Sequence, residues 1–450
     1  MQSATTSGTG PKLRRVLTLW DLIFYGIVII QPTAPLPSFG IVNTVSQGHA
    51  VTAILVAMVA MALTAVSYGT LARVWPNAGS AYTYVGRELH PNLGFLTGWS
   101  IALDYVLTPT IGVIWCSKAA MNIVPLPFVF WAVFFAVIFS AVNLLGIRVN
   151  ARTNMALTVG MCTVLVIFFI ATIWFLWHRG GAAGLFSTLP FYNPTTFSWP
   201  QVRTATSIAV LTFMGFDSIS TLSEDVENPR RNVLLATVSL CLITGVLGGL
   251  EVYFGQLLWP DFHSYPDVDT AFISAAGRAG GPWMFQMINA TLLVATIGSS
   301  IGGQLGAVRL LYAMGRDNVI PRSFFGYLHP VRNTPEKNIL LTGGLALIGA
   351  NVMSYQFGAE LLNYGAFIAF MGVNLSCAGW HLRVRKGVRR ALALVAPLLG
   401  FLICFYIWWS LRPVAKIGGT LWLAAGTLYC ARLTGLFRRP VNMTSEPDQD

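Results

Sequence analysis

Twelve apolar stretches, each long enough to cross a membrane, constrain this chain more than any other feature. One helical crossing needs about 20 predominantly apolar residues. The stretches span approximately residues 18–45, 51–74, 93–123, 128–147, 154–177, 204–224, 233–259, 283–314, 338–353, 361–380, 391–411 and 417–431. Only 10% of the residues are charged, whereas soluble proteins carry about 25%. The sequence therefore predicts an all-α membrane protein with twelve transmembrane helices, arranged as one membrane domain over 18–433 between polar tails at 1–17 and 434–450.

The distribution of lysine and arginine predicts the orientation in the membrane. If both termini are cytoplasmic, 21 of the 28 basic residues fall in inside segments and four in outside loops. Cytoplasmic loops carry such an excess in membrane proteins. We therefore expect a multi-pass protein of the plasma (inner) membrane with both tails cytoplasmic. The same distribution accounts for the net charge of +11, so no nucleic-acid partner is expected.

The polar composition of the spans argues against several other classes of protein. All six cysteines fall in apolar stretches and form no CxxC pair or Cys/His cluster, so we expect neither a cofactor nor a metal. The six histidines lie in loops or at span ends, which disfavours an intramembrane enzyme. No symmetric pore motif or ring of like charges indicates a channel.

The sixth apolar stretch is interrupted at its centre by Gly215, Phe216 and Asp217. A carboxylate near the bilayer midplane costs roughly 2.5–3.5 kcal/mol on insertion scales, so it normally faces a cavity or a partner. Nearby serine and threonine hydroxyls are able to satisfy backbone groups that a break releases. One interpretation is a continuous helix with Asp217 satisfied inside the bundle. The interpretation we favour is a discontinuous helix that lines a binding site.

The first stretch carries a matching interruption, with three prolines between Gln31 and Pro37. Each proline lacks an N–H and clashes with the preceding helical turn. A simple kink is one interpretation. Paired interruptions at corresponding places in two halves instead indicate an inverted-repeat transporter with a midplane site. The repeats would be 18–177 and 204–380, with helices 391–431 appended. We predict breaks at Gln31–Pro35 and Gly215–Ser218 that face each other.

Several short motifs are similar to the signature of the amino acid–polyamine–organocation superfamily. They are Tyr68-Gly69, Leu71, Pro76, Ala78-Gly79, Tyr82, Tyr84, Gly94-Phe95, Gly98-Trp99, Gly215-Phe216-Asp217, Glu224-Asp225, Asn228-Pro229-Arg230 and Arg316-Asp317 with Pro321. Residues 79–84 with Leu103-Asp104-Tyr105 and Pro109 most resemble its bacterial putrescine-importer branch. The resemblance implies a LeuT-like five-plus-five inverted repeat with discontinuous helices 1 and 6. It also implies secondary transport of amino acids or polyamines.

The candidate substrate residues lie at the two breaks and in the third span. The resemblance implies that amino-acid carriers hold the substrate carboxylate on backbone N–H groups at the first break. Here prolines remove several of those groups, which leaves Thr33, Ala34 and Leu36. The family fold would also bring Asp104 and Asp217 to one cavity, where two carboxylates suit a diamine and aromatic rings add cation–π attraction. The predicted substrate-binding residues are Gln31, Pro32, Thr33, Ala34, Asp104, Tyr105, Phe213, Gly215, Phe216 and Asp217. A cationic amine substrate is therefore favoured, and a neutral amino acid is the alternative.

The coupling ion is left open between a proton, sodium and uncoupled exchange. Many proton-coupled members of the family place a lysine in the fifth span, and this chain has none there. Ser299 and Ser300 in the eighth span are weak candidates for sodium ligands. The resemblance implies that family members with a disulfide-linked ancillary subunit use a cysteine in the outer loop after the third span. Here that loop, Asn122–Pro127, lacks a cysteine, so no such subunit is expected.

Three other intramembrane charges receive structural interpretations. Lys118 lies fourteen residues after Asp104, about 21 Å along a helix, so the two cannot pair within their span. We expect Lys118 to extend toward the outer membrane surface. Glu251 and Arg309 are expected to take part in ion pairs of the bundle or its gates.

Overall fold

Helices dominate the chain in the computed structural model, which describes residues 17–75, 81–146, 151–223, 226–316, 320–330, 332 and 334–440. The α-helices are α1 (Leu19–Ile30), α2 (Phe39–Val45), α3 (Ala50–Val74), α4 (Ala81–Glu88), α5 (Pro91–Met121), α6 (Phe128–Leu144), α7 (Ala151–Leu185), α8 (Trp199–Ala209), α9 (Pro229–Leu258), α10 (Ala271–Arg316), α11 (Arg322–Phe325), α12 (Glu336–Val352), α13 (Tyr355–Val384), α14 (Gly387–Trp409) and α15 (Pro413–Leu433). Short 3-10 helices lie at Leu36–Ser38, Val210–Phe213, Phe216–Leu222 and Val268–Thr270. Helices satisfy their own backbone groups, which is what a lipid environment requires.

Each of the twelve predicted stretches coincides with a helix or with a pair of half-helices. In the described ranges, eight helical segments are long and apolar enough to cross a membrane. Three shorter apolar helices lie at Leu19–Ile30, Leu36–Val45 and Phe128–Leu144. The predicted all-helical, multi-pass character is confirmed. The count of twelve crossings and the inverted repeat stay predictions.

Helix α10 begins earlier than the sequence predicts. The predicted span begins at about residue 283, yet α10 starts at Ala271 and bends at Gly281, whose φ is 68°. The early turns form because they bury apolar side chains against α2. The Phe272 ring stands edge-on to the ring of Phe39 at 5.5 Å, and Gly40 packs directly on Ala271.

Small residues let the central helices approach closely. On α3, a Cβ at Gly69 would lie 2.6 Å from Cα of Leu234 on α9. On α10, a Cβ at Gly306 would lie 2.7 Å from the Tyr105 ring of α5. Because lipid supplies no hydrophobic drive between helices, close backbone packing of this kind is a main source of stability in a membrane bundle.

The three other intramembrane charges lie in different surroundings. Lys118 Nζ lies 2.8 Å from Asp267 Oδ2 and 3.8 Å from Asp269 Oδ2, so it forms an ion pair with the α9–α10 connection instead of only extending toward the outer surface. The expected pairing of Glu251 is wrong, because neither carboxyl oxygen has a hydrogen-bond partner among the described residues. Arg309 is exposed.

Candidate substrate site at two broken helices

The first half-helix, α1, ends at Ile30 and leaves a break over Gln31–Pro35. Gln31 adopts the left-handed region, with φ of 69°, and its N–H donates to Ile27 O at 2.9 Å. The chain turns through 32–35 and re-enters helix at Leu36. This is the break that the prolines predict, because they supply no N–H for a continuous helix. The predicted position is confirmed.

Few N–H groups at this break are free to bind an anion. The Ala34 N–H donates to Gln31 O at 3.2 Å, and the Leu36 N–H donates to Thr33 O at 3.1 Å. The Thr33 N–H makes no backbone hydrogen bond within the described residues. The break therefore offers a substrate carboxylate one uncommitted N–H group, where a glycine-rich break would offer several.

The second break lies in the sixth stretch at Met214 and Gly215. Helix α8 tightens into the 3-10 helix Val210–Phe213, and the chain then extends at Met214, whose ψ is 130°. Gly215 follows with φ of 104°, and a second 3-10 helix begins at Phe216. The break was predicted over Gly215–Ser218; the structure places it one residue earlier, so Asp217 and Ser218 lie in the first turn of the second half-helix.

The two breaks lie against each other, as predicted. A Cβ at Gly215 would lie 2.6 Å from Cγ2 of Ile29, in the last turn of α1. Gly248 of α9 borders both breaks, because its Cβ would contact Pro35 on one side and Thr212 on the other. The half-helices are also joined beyond their ends, where the Glu227 N–H donates to Leu17 O at 2.9 Å.

Gly215→Ala is expected to destabilise the protein strongly for a single added methyl group. A left-handed backbone costs an alanine about 1–2 kcal/mol, and the methyl would also press on Ile29. Gly160→Ala on α7 is the matched control, since nothing lies within 4 Å of its added Cβ. Thermal unfolding of the purified variants in detergent measures the difference. Equal melting temperatures for the two variants would contradict this account of the break.

Two of the predicted site residues carry carboxylates. Asp104 is on α5, and its Oδ1 accepts a hydrogen bond from Thr108 Oγ1 at 3.2 Å. Asp217 is the second residue of the second 3-10 helix, with its carboxylate beside the N–H groups of its own residue and Ser218. The carboxylates are close enough to interact electrostatically, and both residues are partly exposed. No described lysine or arginine forms an ion pair with either one, so a cationic ligand would relieve their repulsion.

The predicted aromatic residues of the site differ in their exposure. Tyr105 is 40% exposed beside Asp104, and its hydroxyl lies in the field of Asp217. The predicted ring of Phe216 is fully buried and packs edge-on against Tyr68, with centroids 5.4 Å apart. The predicted Phe213 is also fully buried, within the hydrophobic core. In this conformation Tyr105 is therefore the accessible predicted ring.

Tyr68 lies at the second break, where its ring packs on that of Phe216, although the sequence analysis used Tyr68 and Tyr84 only for the family resemblance. Both interact electrostatically with Asp217, and their rings meet edge-on at 6.0 Å. The Tyr68 hydroxyl is buried and has no hydrogen-bond partner among the described residues. The Tyr68 hydroxyl inside an apolar span was the signal that the sequence offered. A buried tyrosine hydroxyl normally has a hydrogen-bond partner, so a polar group was to be expected near Tyr68.

The remaining predicted residues connect the first break to α10. Gln31 Nε2 donates to Ala295 O at 3.2 Å, and Ser299 Oγ donates to the same carbonyl at 3.2 Å. Ser300 Oγ donates to Thr296 O at 2.6 Å and is buried against Gly112 of α5. Pro32 and Thr33 are buried, and Ala34 is partly buried. The sodium assignment of Ser299 and Ser300 stays a prediction.

An all-helical membrane bundle in which two broken helices meet beside intramembrane carboxylates is typical of secondary transporters. The chain belongs to the Amino acid permease family of the amino acid–polyamine–organocation superfamily, whose sequence pattern matches residues 36–435. The predicted family resemblance is thus confirmed.

The relatives of this chain transport small molecules of several kinds. It is 34% identical over 452 residues to the low-affinity putrescine importer PlaP of Escherichia coli (strain K12), covering 98% of each chain. It is 24% identical over 456 residues to the methylthioribose transporter of Bacillus subtilis (strain 168), covering 95% of each. It is 25% identical over 449 residues to the branched-chain amino acid permease BcaP of Lactococcus lactis subsp. cremoris, covering 92% of this chain and 93% of the relative.

Proposed function

We propose that the protein is a secondary active transporter that carries a cationic amine, of the polyamine class, across the inner membrane by alternating access. The observation that carries this proposal is the pair of partly exposed carboxylates, Asp104 and Asp217, with which no described lysine or arginine forms an ion pair. A substrate with two ammonium groups would neutralise both. The low number of free N–H groups at the first break supports an amine over a carboxylate as the recognised group.

The arrangement of the proposed site follows from the two breaks. Asp104 and Asp217 bind the ammonium groups, and Tyr105 covers the alkyl chain and adds cation–π attraction. Gln31, Pro32, Thr33, Ala34, Gly215 and Phe216 form the backbone around the substrate, and the buried Phe213 supports it from the core. The repeats 18–177 and 204–380 move relative to one another, and the half-helices open the site to each side in turn.

A neutral amino acid is the second candidate substrate. The Thr33 N–H and the positive end of the half-helix that begins at Leu36 favour a carboxylate at that point. Uptake of labelled putrescine, arginine, alanine and a bulky apolar amino acid into proteoliposomes separates the candidates. Saturable uptake of putrescine or arginine supports the proposal, whereas uptake of alanine alone supports the alternative. Flux that does not saturate would indicate a channel.

Both termini are expected to be cytoplasmic, because the basic residues partition that way. Single cysteines test this in a cysteine-free background. Position 264, in the α9–α10 connection, is exposed, whereas its neighbour Tyr265 is buried. Ser264→Cys should react with a membrane-impermeant maleimide added outside cells, and Glu227→Cys should react only after the membrane is opened. Labelling of position 227 but not 264 from outside would reverse the orientation.

A further inference from the structure

Glu251 of α9 is a fully buried carboxyl group that the proposed substrate site does not use. Its side chain is completely inaccessible, and neither oxygen has a hydrogen-bond partner among the described residues. Glu360 of α13 is equally buried, but both of its oxygens accept hydrogen bonds from Arg412 Nε, at 2.7 and 2.8 Å. Glu360 therefore has a counter-charge, whereas Glu251 has none among the described residues.

Glu251 lies on the face of α9 that contacts the first break. Gly248 and Gly255, one turn before and one turn after it, share that face. A Cβ at Gly248 would lie 3.3 Å from Pro35, and a Cβ at Gly255 would lie 3.1 Å from Phe39. Both contacts are with the segment by which the first span re-enters helix. A movement of that half-helix therefore changes the surroundings of Glu251.

The elements packed on α9 bring little charge to this carboxyl. They are α1, α3, α7, α10, the 3-10 helix Leu36–Ser38 after the first break and the 3-10 helices on either side of the second break. The Cys162 thiol of α7 interacts electrostatically with Glu251. Asp217 interacts with Cys241, almost three turns before Glu251 on α9. The other titratable or charged groups of these elements are listed here, and none of them forms a hydrogen bond with Glu251: Asp21, Tyr25, Tyr68, Arg73, Arg152, His178, Arg179, Arg278, Arg309, Tyr312 and Arg316.

An ionised carboxylate buried without a partner costs several kcal/mol, and a bound proton removes most of that cost. We infer that Glu251 is the proton-binding group that couples transport to a proton gradient. It holds a proton while it is buried against the first break, and it releases the proton when movement of the half-helix admits water. This inference rests on the proposed transport function and supplies its energy source.

Glu251→Gln separates proton coupling from substrate translocation. Glutamine keeps the size of the side chain, but its amide does not bind and release a proton as a carboxyl group does. Purified protein is reconstituted in proteoliposomes with the membrane potential clamped at zero. A pH difference of about one unit supports up to about tenfold accumulation of substrate per coupled proton. Wild type should accumulate labelled putrescine under this gradient. Glu251→Gln should not accumulate it, yet should still exchange labelled for unlabelled putrescine at equal pH.

Two further variants sharpen the experiment. Glu360→Gln is the matched control, since it removes a buried carboxyl group that already has a partner, and its ratio of gradient-driven accumulation to exchange should equal that of wild type. Glu251→Asp should keep coupling with a displaced pH dependence. If Glu251→Gln does not fold, as judged by thermal unfolding, the aspartate variant decides the matter, because an unchanged pH dependence would overturn the inference.

The other outcomes are distinguishable. Accumulation by Glu251→Gln equal to that of wild type overturns the inference. A wild type that exchanges substrate but accumulates it only under a sodium gradient also overturns the inference. The same is true of a wild type that exchanges substrate but accumulates it under neither gradient. These results leave the proposed function intact. A wild type that exchanges neither putrescine, arginine nor alanine overturns the proposed function as well.

Discussion

Asp217→Asn and Asp104→Asn are each expected to weaken putrescine binding by about 10- to 150-fold. A hydrogen bond to a charged group contributes roughly 1.5–3 kcal/mol, and about 1.4 kcal/mol corresponds to a factor of ten. Both changes keep the size and hydrogen-bonding capacity of the side chain, so folding should survive. Substrate-dependent thermal stabilisation of the purified proteins, titrated with putrescine, arginine and alanine, gives the affinities.

A monoamine makes this test specific for the two-carboxylate site. If each carboxylate binds one ammonium group, wild type should bind putrescine much more tightly than butylamine, and either variant should lose most of that preference. The double variant should be less than additive, because both residues contact the same ligand. Asp261→Asn, in an exposed loop, is the control and should bind as wild type does.

Unchanged putrescine affinity in both variants would reject the amine site. Variants that no longer unfold cooperatively would show that the carboxylates hold the bundle together instead. A wild type stabilised by alanine but by neither amine would favour the neutral amino-acid alternative.

Arg412→Met is expected to cost about 3 kcal/mol of stability, because it strands the buried Glu360. Removing one partner of a buried ion pair typically costs about 3–5 kcal/mol, and the lower end applies since the Arg412 side chain is 39% exposed. Gln356 Nε2 remains to donate to Glu360 Oε1, at 3.0 Å. Thermal unfolding in detergent measures the loss.

The exposed pair of Arg332 and Glu336 is the matched comparison. Its side chains are 54% and 22% exposed, and exposed pairs contribute at most about 1 kcal/mol. Arg332→Met should therefore change the melting temperature little. Adding Glu360→Gln to Arg412→Met should recover part of the stability, because the stranded charge is then absent. No recovery would mean that Arg412 acts through packing alone.

The sequence predicted the helices and both breaks closely. Segment lengths depend on membrane thickness and on local backbone hydrogen bonding, so α3, α9 and α15 begin or end within a few residues of the predicted stretches. The break at Gln31–Pro35 follows from proline chemistry alone. The second break was predicted one residue late, because the sequence carries no local signal for the extended backbone of Met214.

The tertiary structure decided which polar groups meet. Lys118 pairs with Asp267, 149 residues away, and Glu360 pairs with Arg412, 52 residues away, while Glu251 has no hydrogen-bond partner among the described residues. Periodicity and composition show which residues lie in a span, since these depend on neighbours along the chain. They do not show which helix faces them, because that depends on how small residues on distant helices pack. For the same reason Phe213 proved to be a core residue, and the sequence analysis did not place Tyr68 beside Asp217.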